Sequence, residues 1–388
     1  MKRTKILAMV CAAVLLVALF AGCSGKPADS DGKATVKIGG IGPITGGAAI
    51  YGNAVKQGAE LAISEINAKG GIQFEMNFQD DAHDAEKSVN AYNTLMDWGM
   101  QVLLGPVTSD PATAVAAEAD RDHIFMLTPS GSSTKITDGH ENVYQMCFSD
   151  PNQGLASAKY ISEKNLSQKI AIIYKSDDAY STGIYEKFSA EAKEKALSIV
   201  YTGTFTSDSE TDFSAQLTAA KSSGADLLFL PIYYTPISLI MQQAKSIGLD
   251  VTYFGVDGMD GLLALENFDK SLAEGAYLLT PFSADSTEEK SAAFTKAYRE
   301  KFGMEPNQFA ADAYDCVYAF AQAFEAAGAD VASKDHKTIC DEMIKQFTSM
   351  KFTGLTGAGA AMTWNAAGEI SKEPMAVVIK NGVYTSVE

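Results

Sequence analysis

The chain has 388 residues, with 31 basic and 48 acidic side chains and a formal net charge of −17 at pH 7. Its first 22 residues carry three basic and no acidic side chains; without them 366 residues remain, at a net charge of −20. A surface this acidic repels phosphate backbones and anionic lipid headgroups, which argues against nucleic acid as a partner, and the length exceeds what one hydrophobic core usually serves, so two domains are expected.

The chain opens on Lys2, Arg3 and Lys5, followed by the uncharged, largely apolar run from Ile6 to Phe20. At about fifteen residues the run is shorter than the roughly 20 that span a bilayer as a helix. This layout is that of a secretory signal over residues 1–22. It ends in Leu19-Phe20-Ala21-Gly22-Cys23, which resembles a bacterial lipobox. Small residues at 21 and 22 give a peptidase access to the bond before a cysteine whose thiol receives the lipid. An ordinary secretory signal with an incidental cysteine is the alternative. Residues 23–32 offer no large apolar side chain and read as a flexible tether. The expected address is extracytoplasmic, on the outer face of a bacterial cell membrane, with Cys23 as the lipid attachment point.

Beyond the tether, strand-like and helix-like patterns alternate. Val36 to Ile41 is a short β-rich run, and Val55, Ala59, Ala62, Ile63 and Ile66 then recur at helical spacing until Gly70-Gly71. Phe74 to Phe78 alternates as a strand, and Ala85 to Trp98 returns to helical spacing. Val102 to Leu104, Ile124 to Leu127, Ile170 to Tyr174, Ile199 to Thr202, Leu227 to Leu230 and Val251 to Phe254 are further strands, most of them separated by helical stretches. Apolar strands alternating with helices predict parallel sheets covered on both faces, the doubly wound α/β class. The tail breaks the rhythm with three helices, Ser286 to Phe302, Phe309 to Ala327 and Ser333 to Phe347. Extended pieces follow around Phe352, Ala361 to Trp364 and Pro374 to Ile379. Two doubly wound parallel-sheet lobes joined by several crossings accommodate such a tail; a single one does not.

Ligands of open α/β sheets gather at the carboxyl ends of the strands, so those loops carry the candidate chemistry. Gly39-Gly40-Ile41-Gly42-Pro43-Ile44-Thr45-Gly46-Gly47 lacks the Lys-Ser or Lys-Thr pair of a phosphate loop, and it reads as a turn shaping a cleft wall, with Tyr51 just beyond. Gly105-Pro106-Val107-Thr108-Ser109-Asp110-Pro111 has the sequence of a helix start. It is read either as capping alone or as a carboxylate site built from free N–H groups and a serine hydroxyl. Thr128-Pro129-Ser130-Gly131-Ser132-Ser133-Thr134 is a hydroxyl-rich turn. In the second half Tyr180, Tyr233-Tyr234 and Gly255-Val256-Asp257-Gly258 follow strands. Donors for a carboxylate, an acid for an ammonium and rings over the remainder together suit a zwitterion.

No enzyme chemistry is legible. His83, His123, His140 and His336 form no metal or triad pattern, and no nucleophile elbow is present. Cys147, Cys316 and Cys340 show no metal-ligand spacing; one disulfide is open to them, and small buried thiols are the preferred reading. No cofactor and no metal are expected.

Taken in order, IGGIGPITGGAAIYGNAVKQGAELAISEINAKGGI, FQDDAHDAEKSVNAYNTL, GPVTSDPATAVA, FMLTPSGSS, SDPNQGLASAKYI, KIAIIYKSDDAYSTG, IMQQAKSIGL, FGVDG and GLTGAGAAMTWNAAGEISKEPMAVVIKNGVY resemble the type I periplasmic binding proteins of branched-chain amino acid ABC transporters. The likeness covers essentially all of the chain after the tether. It implies an N-terminal lobe from 33–148 plus 281–372 and a C-terminal lobe from 149–280 plus 373–388. It implies that Ser109 holds a ligand carboxylate, that the turn Ser130-Gly131-Ser132 supplies a backbone carbonyl and a hydroxyl, and that Asp257 pairs with the ammonium. Tyr51, Tyr180 and Tyr233 line the cleft in the same scheme. Asp257 stands where some members have glutamate, so the shorter acid draws the amino group deeper. Some members join the loops near His83 and Thr108 by a disulfide, for which this chain has no cysteines. The implied partners are a small amino acid, the permease subunits of an ABC importer and, through the lipid anchor, the membrane, with a monomer as the implied state. An amide, urea or aromatic acid as ligand, or a sensor subunit without transport, are the alternatives.

Overall fold

The β-rich runs become strands of two separate sheets, and the amphipathic stretches become the helices that cover them. A computed structural model describes residues 35–328 and 330–387. The signal, the tether and Cys23 lie outside the described residues. The first sheet contains β1 (Thr35–Gly42), β2 (Gln73–Asp80), β3 (Val102–Leu104), β4 (Phe125–Thr128) and β5 (Val143–Gln145), ordered β2-β1-β3-β4-β5. All its pairings are parallel. Helices α1 (Ala49–Ala68), α2 (Ala85–Trp98) and α3 (Ser109–Asp122) make its crossovers. Local chemistry sets their ends: Asp84 accepts from the Lys87 amide at 2.8 Å to start α2, and Gly99 stops it at a φ of 85°, a value that favours glycine.

The second sheet repeats this topology. Strands β6 (Ile170–Lys175), β7 (Ile199–Phe205), β8 (Leu227–Leu230), β9 (Thr252–Gly255) and β10 (Tyr277–Thr280) form a parallel run ordered β7-β6-β8-β9-β10. Helices α4 (Asp150–Glu163), α5 (Ala179–Glu194), α6 (Ser214–Ser222) and α7 (Tyr234–Ser246) belong to this half. An antiparallel ribbon, β11 (Met375–Lys380) and β12 (Val383–Ser386), extends it beyond β10. The all-parallel expectation therefore holds for the first sheet and not for this edge. A two-residue turn, Asn381 and Gly382 at φ of 53° and 71°, joins neighbouring strands only when they run antiparallel. Strands β5, β10 and β12 were not expected from the residue pattern.

The three tail helices, α8 (Glu289–Phe302), α9 (Gln308–Ala327) and α10 (His336–Phe347), return to the first sheet. Helix α9 lies along α1, and the two approach so closely at Gly58 that a side chain there would run into the Ala310 carbonyl. Phe347 of α10 packs on Phe125 of β4, with ring centroids 4.7 Å apart. The second half has its own core, in which Phe188 of α5 stacks on Phe229 of β8 at 3.9 Å. The chain thus crosses between the halves three times: between β5 and α4, between β10 and α8, and between Ile370 and β11. Lys372 pins the last crossing, its buried ammonium donating to Asp312 at 2.7 Å and to Thr356 at 2.5 Å. Cys147, Cys316 and Cys340 are buried free thiols, so no disulfide joins the described residues.

Candidate functional site

Both sheets carry their strand-order switch points, β1/β3 and β6/β8, and a cavity lies where their strand ends face each other. It is lined by Tyr51, Val107, Thr108, Ser109, Ser130 and Phe309 from the first half and Tyr180, Tyr233, Asp257 and Gly258 from the second. Its volume is about 10 Å³, roughly the minimum that admits one water. The halves are closed on each other here. Tyr51 donates to the Gly258 carbonyl at 2.5 Å, the Ile50 amide donates to the Tyr234 hydroxyl at 3.1 Å, and Thr235 donates to the Gly47 carbonyl at 2.7 Å.

The glycine-rich segment after β1 serves packing. A side chain at Gly42 would meet Val107 at 2.5 Å, and one at Gly40 would overlap Phe78, so these glycines let the strand sit tightly against its neighbours. Tyr51, in the first turn of α1, is fully buried and tilts against Phe309 at a ring separation of 4.2 Å. Tyr180 and Tyr233 stack at 4.9 Å, with Tyr51 edge-on to Tyr233 at 5.7 Å.

Ser109 opens α3, whose N-cap residue Thr108 makes no side-chain cap; its hydroxyl instead meets His83 Nδ1 at 2.8 Å. Burial, with the charge of Lys175 nearby, pushes the His83 imidazole down to about 4, so the ring is neutral. Capping alone therefore does not account for the Thr108-Ser109-Asp110-Pro111 sequence. The Ser109 oxygen accepts from the amides of Ser132 and Ser133, each at 3.3 Å. A hydroxyl has one proton and two acceptor positions. With both acceptor positions engaged, the Ser109 proton is left to donate.

The turn after β4 divides its groups. Ser130 donates its hydroxyl to the Val107 carbonyl at 2.7 Å. Gly131 uses its amide on Thr128 and its carbonyl on Gln145, both at 2.8 Å, so both polar groups serve the turn and it does not line the cavity. The Ser132 hydroxyl is buried with no hydrogen-bond partner among the described residues. Six of the eight residues named from sequence thus line one cavity, with Ser132 directly behind Ser109.

Asp257 stands opposite, 3% exposed. Tyr180 donates to its carboxylate at 2.5 Å, and its own amide donates to the Gln153 side-chain carbonyl at 3.2 Å. Burial raises its carboxyl to about 6, against the lowering effect of the Tyr180 and Gln153 hydrogen bonds. Asp150 is buried as well, and burial pushes its carboxyl up. Among the described residues no basic side chain pairs with either acid, whereas buried Asp312 has Lys372. Gly258 must be glycine for this arrangement, since a Cβ would lie 2.6 Å from the Tyr180 hydroxyl.

Sequence reasoning did not find Val107, Thr108, Gly258 or Phe309 in the lining, nor Asp150 and Gln153 behind it. Thr108 and Gly258 neighbour residues that were named, so the strand-end rule was their signal. Phe309 belongs to a helix whose apolar face reads as core, and Asp150-Pro151 reads as a helix start. Among the described residues no group of histidine, cysteine and acidic side chains is arranged to hold a metal ion.

A larger cavity of about 530 Å³ lies on the outer side of the first half, between α1, α8, α9 and the loop at Phe352 to Leu355. Its polar groups satisfy one another. Tyr314 and Tyr318 donate to Glu65 at 2.5 and 2.8 Å, and Lys69 donates to the Tyr318 hydroxyl at 3.2 Å.

Residues 35–378 match a family model described as periplasmic binding protein. The chain is 31% identical over 230 residues to the Leu/Ile/Val-binding protein homolog 3 of Brucella melitensis, covering 58% of this chain and 62% of that protein. It is 28% identical over 299 residues to the leucine-, isoleucine-, valine-, threonine- and alanine-binding protein of Pseudomonas aeruginosa, covering 76% and 79%. Among solved structures, the branched-chain amino acid transporter substrate binding protein of Streptococcus pneumoniae in complex with isoleucine superposes with a TM-score of 0.82 at 29% identity, covering 91% of this chain and 99% of that one. A solute binding protein from R. palustris in complex with benzoate shares the fold, at a TM-score of 0.80 and 20% identity over 91% of this chain and 95% of that one.

Proposed function

The chain belongs to the periplasmic binding protein family, whose members are transporter receptors and not enzymes, and on that premise we propose that it is the solute receptor of an ABC importer for a small aliphatic amino acid. One observation carries the reading: a buried carboxylate without a cation, Asp257, faces a serine hydroxyl, Ser109, whose proton is free to donate. An α-amino acid supplies the missing charge at one end and a carboxylate at the other. The Ser130 carbonyl and the Ser132 hydroxyl are further acceptors for the ammonium, and Tyr51, Tyr180, Tyr233 and Phe309 enclose the rest. Branched-chain ligands in the relatives' names and the isoleucine bound by the pneumococcal protein support the aliphatic class.

The cavity is too small for a solute to enter or leave while the halves are closed, so capture requires them to part and re-close. A ligand that bridges both halves favours the closed form, because it touches Ser109 and Asp257 together only there. The lobes run over 33–148 plus 281–372 and 149–280 plus 373–388 in this reading, and the closed form is what docks on the permease. The receptor acts as a monomer. Cys23 carries the lipid that holds it at the outer face of the membrane; a Cys23→Ala chain that stays with the membrane fraction would count against the anchor.

An aromatic acid such as benzoate is the competing ligand class, since benzoate binders share the fold. Benzoate has no cation to offer Asp257, which disfavours it in a dry cleft. A thermal-shift screen over the twenty amino acids, their amides and aromatic acids separates the classes. Stabilisation by aliphatic amino acids is expected; stabilisation only by aromatic acids or amides would overturn the assignment.

A further inference from the structure

Resting on the amino-acid reading of the cleft, we propose that Asp150 is a positioning residue that holds the Ser132 hydroxyl with its oxygen toward the ligand ammonium. Asp150 is the first residue of α4, on the first crossing between the halves, and is 1% exposed. Its amide donates to the Ser132 carbonyl at 2.9 Å, which fastens the two residues together. Neither oxygen of its carboxylate has a hydrogen-bond partner among the described residues, and neither has the Ser132 hydroxyl. Burial pushes the Asp150 carboxyl up, and the Ser132 side chain is the largest influence acting the other way, toward the ionised form.

The proton count makes the assignment. An ammonium only donates hydrogen bonds, so a serine that binds one must accept. Its own proton then needs another acceptor, or it stays unmatched in a buried site. The Ser132 amide is directed to Ser109, and the Asp150 carboxylate is the acceptor at hand. Helix α5 of the second half backs closely onto that side chain: a Cβ added at Gly183 would lie 3.1 Å from Asp150 Cβ and 3.2 Å from its Oδ2. A Ser132 hydroxyl fixed as an acceptor favours an ammonium over a hydroxyl or a carbonyl at the same position, so Asp150 sets selectivity for the amino group.

The test compares an aliphatic L-amino acid with its 2-hydroxy acid by calorimetric titration of five chains: wild type, Asp150→Ala, Asp150→Asn, Ser132→Ala and Asp150→Ala in the Ser132→Ala background. Asp150→Ala is expected to cut the preference for the amino acid by about tenfold or more. Asp150→Asn keeps one acceptor oxygen and is expected to keep the preference within about threefold. Without the Ser132 hydroxyl, Asp150→Ala is expected to change the preference by less than about twofold, since the two act as a unit. Equal weakening of both ligands by Asp150→Ala overturns the assignment, as does the same loss of preference with and without the Ser132 hydroxyl. Asp150→Leu carries the comparison if the alanine chain fails to fold. A wild type that binds no L-amino acid refutes the amino-acid reading itself, a result distinct from either of these.

Discussion

Asp257→Asn is expected to weaken amino-acid binding by about 3 kcal/mol, roughly a hundredfold, because it leaves the ligand ammonium without its counter-charge in a dry site. The same substitution is expected to stabilise the unliganded chain. Burial raises the Asp257 carboxyl to about 6 in the folded protein, against about 3.9 in an unfolded chain. The folded state therefore binds the proton more tightly, and ionising the group above pH 6 costs the fold on the order of 3 kcal/mol. That penalty is fully present above pH 6 and vanishes as the pH falls below 4, so the variant's advantage follows the same window. Asparagine keeps an oxygen to accept from Tyr180 and carries no charge. Wild-type affinity follows the same ionisation: it is expected to hold above pH 6 and to fall by up to about tenfold per unit below it, as protonation competes with the ammonium. Titrations from pH 4.5 to 8 with denaturation curves of both chains measure the two effects. An Asp257→Asn chain of unchanged affinity, or one less stable at pH 7.5, would contradict the charge argument.

The second large effect concerns stability. Lys372→Met is expected to cost about 3 to 5 kcal/mol, because it strands Asp312 and Asp315 in the interior without a cation. Lys372 is fully buried and Asp312 nearly so. Asp315 accepts from the amides of Leu355 and Thr356 at 2.8 and 2.9 Å, so the cluster ties the last crossing and the loop before it to α9. Burial raises the Asp312 carboxyl to about 7 even with Lys372 pulling it down. Without the lysine it rises further, so the loss is largest above pH 7 and shrinks in acid, where Asp312 is protonated. Adding Asp312→Asn to the methionine chain removes one stranded charge and should return part of the loss. Urea denaturation at pH 8 and pH 5 checks both statements; a loss below about 1 kcal/mol at pH 8 would mean that the pair is not structural.

Much of the fold was legible because the doubly wound class writes a strong signal. Buried parallel strands such as Leu227 to Leu230 are continuous apolar runs, and α1 and α2 show clear helical spacing. The rest was hidden for local reasons. Strand β5 has only two apolar side chains, Val143 and Tyr144. Strand β10 follows short turns and not an α-helix, so the strand–helix alternation does not point to it. The direction of β11 depends on its pairing with β10.

The site was legible to the extent that it lies at strand ends. Ser109, Ser130, Tyr180, Tyr233 and Asp257 all follow strands, and Tyr51 follows the first strand's turn. Phe309 was not legible, because it arrives from the tail on a helix that crosses back from the second half. Asp150 and Gln153 were not either. Their place behind the cleft follows from the path of the first crossing, and a helix that begins with Asp-Pro has an ordinary explanation in capping. Ser132 was named from sequence as a ligand group, yet its need for an acceptor behind it appears only when Asp150 is seen beside it.

The central claim is that the cleft recognises both ends of an amino acid, with Ser109 at the carboxylate and Asp257 at the ammonium. Calorimetric titration of the wild-type chain at pH 7.5 with isoleucine, isoleucine methyl ester and the matching 2-hydroxy acid tests it most directly. Isoleucine is expected to bind, and each analogue, missing one end of the zwitterion, to bind about a hundredfold or more weakly. Equal binding of the ester or the hydroxy acid would contradict the claim, as would benzoate binding where isoleucine does not.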